Sequence, residues 1–173
     1  MDIILFILEI VEFFVTYGPS NKMFSRLRSY YYRKRLLPGS GPFESLTGLS
    51  ISGSGNIFIG KNVSINRFVT ISSDHGGQIR IGNNCLIGPY VLIRSADHCF
   101  VDPLRPIRQQ GHNGGPIVIE DDCWIAGHVT ITRNVKIGRG CVIGANSVVT
   151  HDIPEYSIAA GVPARVIGTR NGK

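Results

Sequence analysis

Four cysteines in 173 residues form no CxxC pair, so the sequence offers neither a disulfide framework nor a thiolate metal site, and a reducing compartment is expected. No stretch of 18 or more apolar residues occurs, so no transmembrane helix is expected. The apolar opening lacks a basic leader region and a small-residue cleavage site, unlike a secretion signal. Acidic residues are few, 12 against 18 Lys+Arg, for a net charge of +6. No helix-turn-helix, zinc-finger or RNA-binding signature accompanies that excess, so nucleic acid is not an expected partner and a polyanionic small ligand suits the charge. Gly is frequent at 21, but 9 Pro and 43% hydrophobic residues exclude collagen-like and disordered chains.

What is present divides into an N-terminal helical segment (1–40), a long repetitive region (41–168) and a short tail (169–173). In "MDIILFILEIVEFFVTY", Asp2, Glu9, Glu12 and Thr16 fall in one narrow stripe at helical spacing. The rest of the surface is apolar, so the spacing predicts a helix whose wide apolar face must be buried against something. Gly18-Pro19-Ser20 ends it. Residues 21–37 carry six basic and no acidic side chains interleaved with aromatics. Residues 1–37 therefore suit either peripheral contact with an anionic membrane surface or packing on the main domain or on sister subunits.

From Ile59 an apolar residue returns every six positions: 59, 65, 71, then 81, 87, 93, then 119, 125, 131, 137, 143 and 149, all Ile except Val149. The fifth position of each hexad is small or β-branched, as in Val63, Val69, Val91, Val129 and Ser147, and it also holds Cys85, Cys123 and Cys141, which read as buried hydrophobes. A period of six with one inward residue is a β-solenoid in which three hexads close one coil. Twelve hexads make four coils, and a weaker coil is expected over 43–58.

The register breaks twice, by four residues at 77–80 and by about twenty at 99–118. Just before each break the fifth position turns polar, to His75 and to Asp97. Solenoids tolerate insertions at their turns, where these project as loops, and long loops are commonly functional. His98, at the mouth of the long loop, is therefore the candidate general base. The five histidines form no HxxH pair and are not expected to converge within one chain, so no metal site is expected. Cys99, beside His98, is a weaker nucleophile candidate. "GSGPF" and "GSGNIFIG" lack the helix and lysine of a phosphate loop and read as turns.

The stretches "VLIRSADH" (91–98) and "IVIEDDCWIAGHVTITRNVKIGRGCVIGANSVVTHDIPEYSIAAGVPARVIG" (117–168) resemble the hexapeptide-repeat acyltransferases, above all the galactoside, maltose and polysaccharide O-acetyltransferases. The resemblance covers about residues 43–170. It implies an all-β, left-handed parallel β-helix, a homotrimer, and active sites in grooves between subunits with acetyl-CoA as co-substrate. It implies that His98 is the catalytic base and that the Gly127 amide faces the thioester oxygen. Trp124 would line the thioester end, Ala145, Thr150 and Arg165 the CoA arm, and Asn66 and Asp74 the acceptor. Gly168 departs from the pattern, standing where relatives often carry a second basic residue, with Arg170 as the available substitute.

The expected function is transfer of acetyl to a sugar or glycan hydroxyl, in the cytoplasm or at the inner face of the membrane. N-acetylation of an amino sugar or acetylation of serine would use the same scaffold. A non-catalytic trimeric scaffold and a metal-dependent hydratase are the readings of a different class.

Overall fold

The computed structural model describes residues 3–170; Asp2 of the N-terminal stripe and residues 171–173 of the tail lie outside the described residues. From Phe43 onward the chain winds as a left-handed parallel β-helix of about five turns, as the hexads predict. The first face stacks Phe43–Ser45, Val63–Ile65, Leu86–Ile87, Trp124–Ile125 and Val142–Ile143, and the hairpin Ser157–Gly161/Ala164–Thr169 closes it. The second face stacks Ser50–Ser52, Thr70–Ser72, Leu92–Arg94, Thr130–Ile131 and Val148–Val149, and the third Ile57–Ile59, Ile79–Ile81, Ile117–Ile119 and Val135–Ile137. The weaker coil expected over 43–58 is the first turn of this stack.

The register explains the repeat. Ile65 pairs with Ile87, Ile125 with Ile87 and Ile143, and Ile71 with Ile93, so each isoleucine sits on its counterpart one coil away. These side chains are inaccessible to solvent, as are Val69, Val129, Cys85 and Cys141 at the fifth hexad position. The cysteines are packing residues, and burial raises the pKa of the Cys141 thiol. Turning the chain at each corner requires left-handed backbone, supplied by Asn62, Asn84, Asn134 and Asn146 among others, at φ of 55 to 59°. Between the third and first faces the coils approach too closely for side chains: a Cβ on Gly82 would meet the Asp121 nitrogen at 2.7 Å.

At the two register breaks buried serines precede the insertion, and the apolar corner residue follows it, as Ile79 and Ile117 in register with Val135. Ser73 Oγ donates to the Gly77 carbonyl at 2.9 Å, and Ser95 Oγ lies 3.4 Å from Ser73 Oγ. The long insertion is not a bare loop. Ala96–His98 pairs antiparallel with His112–Gly114, and a single 3-10 turn, Ile107–Gln109, lies between them. Its tip is apolar and fully open, with Leu104 92% and Val101 87% exposed.

The N-terminal segment forms helices α1 (Ile3–Tyr17) and α2 (Lys22–Arg33). Arg28 does not join a basic surface: it is wholly buried and donates to the carbonyls of Val15 (2.8 Å), Ser45 (3.1 Å), Pro19 (3.1 Å) and Gly18. One guanidinium thus caps the end of α1 and ties both helices to the first coil. The polar stripe of α1 turns toward the protein. Thr16 Oγ1 lies 3.2 Å from the Tyr32 hydroxyl, and the Tyr31 hydroxyl donates to Glu12 at 3.3 Å. The apolar side, expected to be buried, faces outward within one chain, exposing Phe6, Ile7, Ile10, Val11, Phe13 and Phe14. No described helix is long and apolar enough to cross a membrane.

Replacing Arg28 with Met leaves those carbonyls unpaired. The substitution is expected to lower the opening free energy of α1 and α2 by about 3 kcal/mol, read by hydrogen exchange, while the coils keep their protection. Unchanged protection in α1 would contradict the anchoring role.

Candidate active site

His98 ends a strand at the corner between the second and third faces, where the long hairpin leaves the coil. Along Ala96–His98 exposure rises from buried Ala96 through half-buried Asp97 to exposed His98, as the hairpin leaves the coil. Asp97 does not orient the imidazole: its carboxylate accepts from Arg133 Nε at 2.9 Å, one coil further on.

The ring nearest His98 is His112, which the antiparallel register sets directly opposite, with ring centroids 4.2 Å apart. His112 in turn stacks face to face on His75 at 3.7 Å and 2°. Three histidines therefore converge within one chain, contrary to the expectation that they would not. The His75 and His112 rings meet face on and His98 is tilted by 39° to His112, and among the described residues no group of three donors is arranged to hold a metal ion. Loss of hydration beside the stack, then the neighbouring His75, His98 and Arg94, holds His112 below the ordinary imidazole range.

Asp74 stands at the same corner, accepting from Ser72 Oγ at 2.7 Å and Ser52 Oγ at 3.3 Å. Thr150 lies two coils beyond, its hydroxyl 2.8 Å from His151 Nδ1. His98, Asp74 and Thr150 thus share one edge of the prism.

The other expected site residues occupy a different edge, between the first and second faces. Gly127 and Ala145 stack there in successive coils, beside Trp124, which lies half-exposed on the outer surface of the first face, and Asn66 lies two coils before Gly127. Asn66 turns its Oδ1 onto the Arg67 N–H at 2.8 Å. The N–H groups of Gly127 and Ala145 have no acceptor among the described residues, although their neighbours Ala126 and Gly144 donate to the coil above. Two free donors one coil apart on an open edge are what a ligand carrying carbonyl or oxyanion groups requires. A Cβ at Gly127 would meet nothing closer than 3.4 Å, so a small side chain fits there too.

Arg165 lies exposed on the closing hairpin of the first face. Arg170 does not replace the missing second basic residue. Its guanidinium is taken by Asp122 at 2.7 Å, at the edge between the third and first faces. An aromatic ladder unforeseen in the sequence runs beside the free amides. Phe68, Tyr90 and His128, all in left-handed backbone, stack at 5.2 and 4.8 Å. Their spacing at a constant hexad position was the available signal.

One chain therefore carries an exposed histidine cluster on one edge and free amide donors on another, with the whole second face between them. The family described as bacterial transferase hexapeptide (six repeats) matches residues 116–151, and the hexapeptide repeat of succinyl-transferase matches 78–89. The galactoside O-acetyltransferase of Escherichia coli K12 is 40% identical over 68% of this chain and 56% of its own length. A putative lipopolysaccharide biosynthesis O-acetyl transferase of the same organism is 36% identical over 75% and 69%. The hexapeptide-repeat acetyltransferase of Vibrio cholerae superposes with a TM-score of 0.74 at 34% identity, covering 84% of this chain and 81% of that one. The same protein has also been solved with acetyl coenzyme A, at a TM-score of 0.64 and 30% identity over 90% and 81%. The chain spans less than two thirds of some curated relatives, 56% of the galactoside enzyme and 31% of a probable acetyltransferase of Mycobacterium tuberculosis.

The stack makes a prediction about pH. Because the folded state favours neutral His112, its contribution is intact above the ordinary imidazole value and is lost as pH falls through it, about 6.5. NMR titration of the His112 ring is expected to give a midpoint below that value, rising toward it in His75→Ala. A midpoint at or above it in the unaltered protein would contradict the stacking argument.

Proposed function

The chain belongs to the hexapeptide-repeat acetyltransferase family, and on that premise we propose that it transfers acetyl from acetyl-CoA to a hydroxyl of a sugar or glycan. The observation that carries the reading is the complementary pair of half-sites: an exposed histidine on one edge and unpaired amides beside an exposed tryptophan on another. A homotrimer supplies the missing contact, because a threefold arrangement sets the His98 edge of one subunit against the Gly127 edge of the next.

In this reading the acetyl-CoA pantetheine arm lies along the Gly127–Ala145 edge, with Trp124 against the thioester and Arg165 toward the nucleotide end. Asn66 and Asp74 hold the acceptor. His98 accepts the proton of the sugar hydroxyl as its oxygen bonds to the acetyl carbon. The Gly127 N–H donates to the carbonyl oxygen as it gains charge. The carbon–sulfur bond then breaks, CoA leaves as thiolate, and the imidazolium returns the proton to it. Both substrates are held together, so no covalent enzyme intermediate is needed. Asp97 is committed to Arg133, which leaves His112 as the group that sets the His98 ring.

The same chain is proposed to work on the cytoplasmic side, peripherally at the membrane. The outward apolar side of α1 is accompanied in the same segment by the exposed cations Lys34 and Arg35, which lie over the Tyr30 and Tyr31 rings at 4.4 and 3.8 Å. An anionic lipid surface matches both features.

Two outcomes follow. CoA release from acetyl-CoA with a sugar panel should fall by about 10²- to 10⁴-fold in His98→Ala; undiminished turnover in that variant would sink the mechanism. The full chain should co-sediment with vesicles containing phosphatidylserine, and Phe13→Asp/Phe14→Asp should release it. Equal sedimentation of both proteins, or loss of the trimer in the variant, would instead assign α1 to subunit packing.

A further inference from the structure

The first face does not end at its first strand. Beyond it lies a groove of about 700 Å³ between α2 and the first three coils. One wall is α2, from which Lys22, Arg26 and Arg33 reach the groove. At 100° per residue these three fall within about 40° of one another, so they form a single cationic row. Among the described residues none of the three takes part in an ion pair or a side-chain hydrogen bond. Three other cations of the protein are neutralised, Arg133 by Asp97, Lys136 by Glu120 and Arg170 by Asp122. A single carboxylate, Glu44, faces the row.

The opposite wall is uncharged. Asn62 and Asn84 are joined by an amide hydrogen bond of 2.9 Å, and Leu86 offers an exposed apolar surface between the coils. Amides beside an aliphatic patch suit a saccharide, which presents hydroxyls at its rim and C–H groups on its faces. The groove also has a direction. Leu86 is the strand partner of Trp124, so one end lies one coil from the tryptophan. Through Lys22, Ser25, Glu44 and Ser64 it runs into a second cavity of about 390 Å³ that reaches Asn66. The trough therefore runs from Trp124 along the first face toward the N-terminal coils, and it meets the Gly127 edge at Asn66, the residue assigned to the acceptor.

We infer that this trough holds an extended part of the acceptor and selects saccharides bearing an anionic group, phosphate or carboxylate, through Lys22, Arg26 and Arg33. The inference rests on the acetyltransferase reading for the direction of the trough, but its binding chemistry is a property of these residues alone. Exposed cations on a groove wall give specificity that weakens as salt rises.

The test separates the two claims by measuring binding without acetyl-CoA. Isothermal titration at low ionic strength compares 3′-sialyllactose with lactose for carboxylate, and galactose 1-phosphate with galactose for phosphate. At least one anionic member is expected to bind about tenfold more tightly than its neutral partner. The ratio should collapse toward one in Arg26→Gln/Arg33→Gln and in high salt. The pair that shows the preference identifies the anion. Equal binding of both pairs, or a preference that survives the double substitution, would overturn the inference. Anionic preference without acetylation of any sugar would leave the trough standing and count against the acetyltransferase reading instead.

Discussion

Every functional position in this protein is placed by one constraint, the in-register stacking of isoleucine on isoleucine between successive coils. Each inward residue buries its side chain only if its counterpart lies directly above, which fixes the register along the whole solenoid. Parallel strands then set residues at one hexad position about 4.8 Å apart, coil after coil. The free amides of Gly127 and Ala145 and the Phe68–Tyr90–His128 ladder both arise from that spacing. A scaffold of this kind holds ligand-binding groups in rows rather than in a pocket.

The rows also divide the chemistry. The sequence placed His98 and Gly127 in different hexads, and the fold puts them on different edges of the prism, with the second face between. No rearrangement within a chain closes that distance without unstacking the core. In the proposed reading the site is completed by a second subunit, and the long hairpin with its bare Val101 and Leu104 is the element that leaves the coil on the His98 side. Exposed apolar tips of this kind are costly in an isolated chain and ordinary at a subunit boundary.

Much of this was legible before any coordinates. The six-residue period reads directly as coils because each hexad repeats the same burial, and the two breaks read as loops because Asp97 and His75 cannot occupy the apolar corner. The histidine cluster was not legible, because it depends on His112 folding back opposite His98, and nothing local fixes the pairing inside a twenty-residue insertion. The role of Arg28 was not legible for a similar reason. Six basic residues in one segment look like one surface, yet the carbonyls at the end of α1 drew one of them wholly inside. A helical wheel located the polar stripe of α1 but not the side it faces; the Tyr31 and Tyr32 hydroxyls set that by binding Glu12 and Thr16.

The central claim is that catalysis joins His98 of one subunit to the Gly127 edge of another. It is tested most directly by mixing two inactive chains, His98→Ala and Gly127→Phe, at equal amounts under conditions that exchange subunits. Half of the His98 edges and half of the Gly127 edges are then intact, so the account predicts recovery of about a quarter of the unaltered activity. A mixture as inactive as its components, with subunit exchange verified, would contradict it.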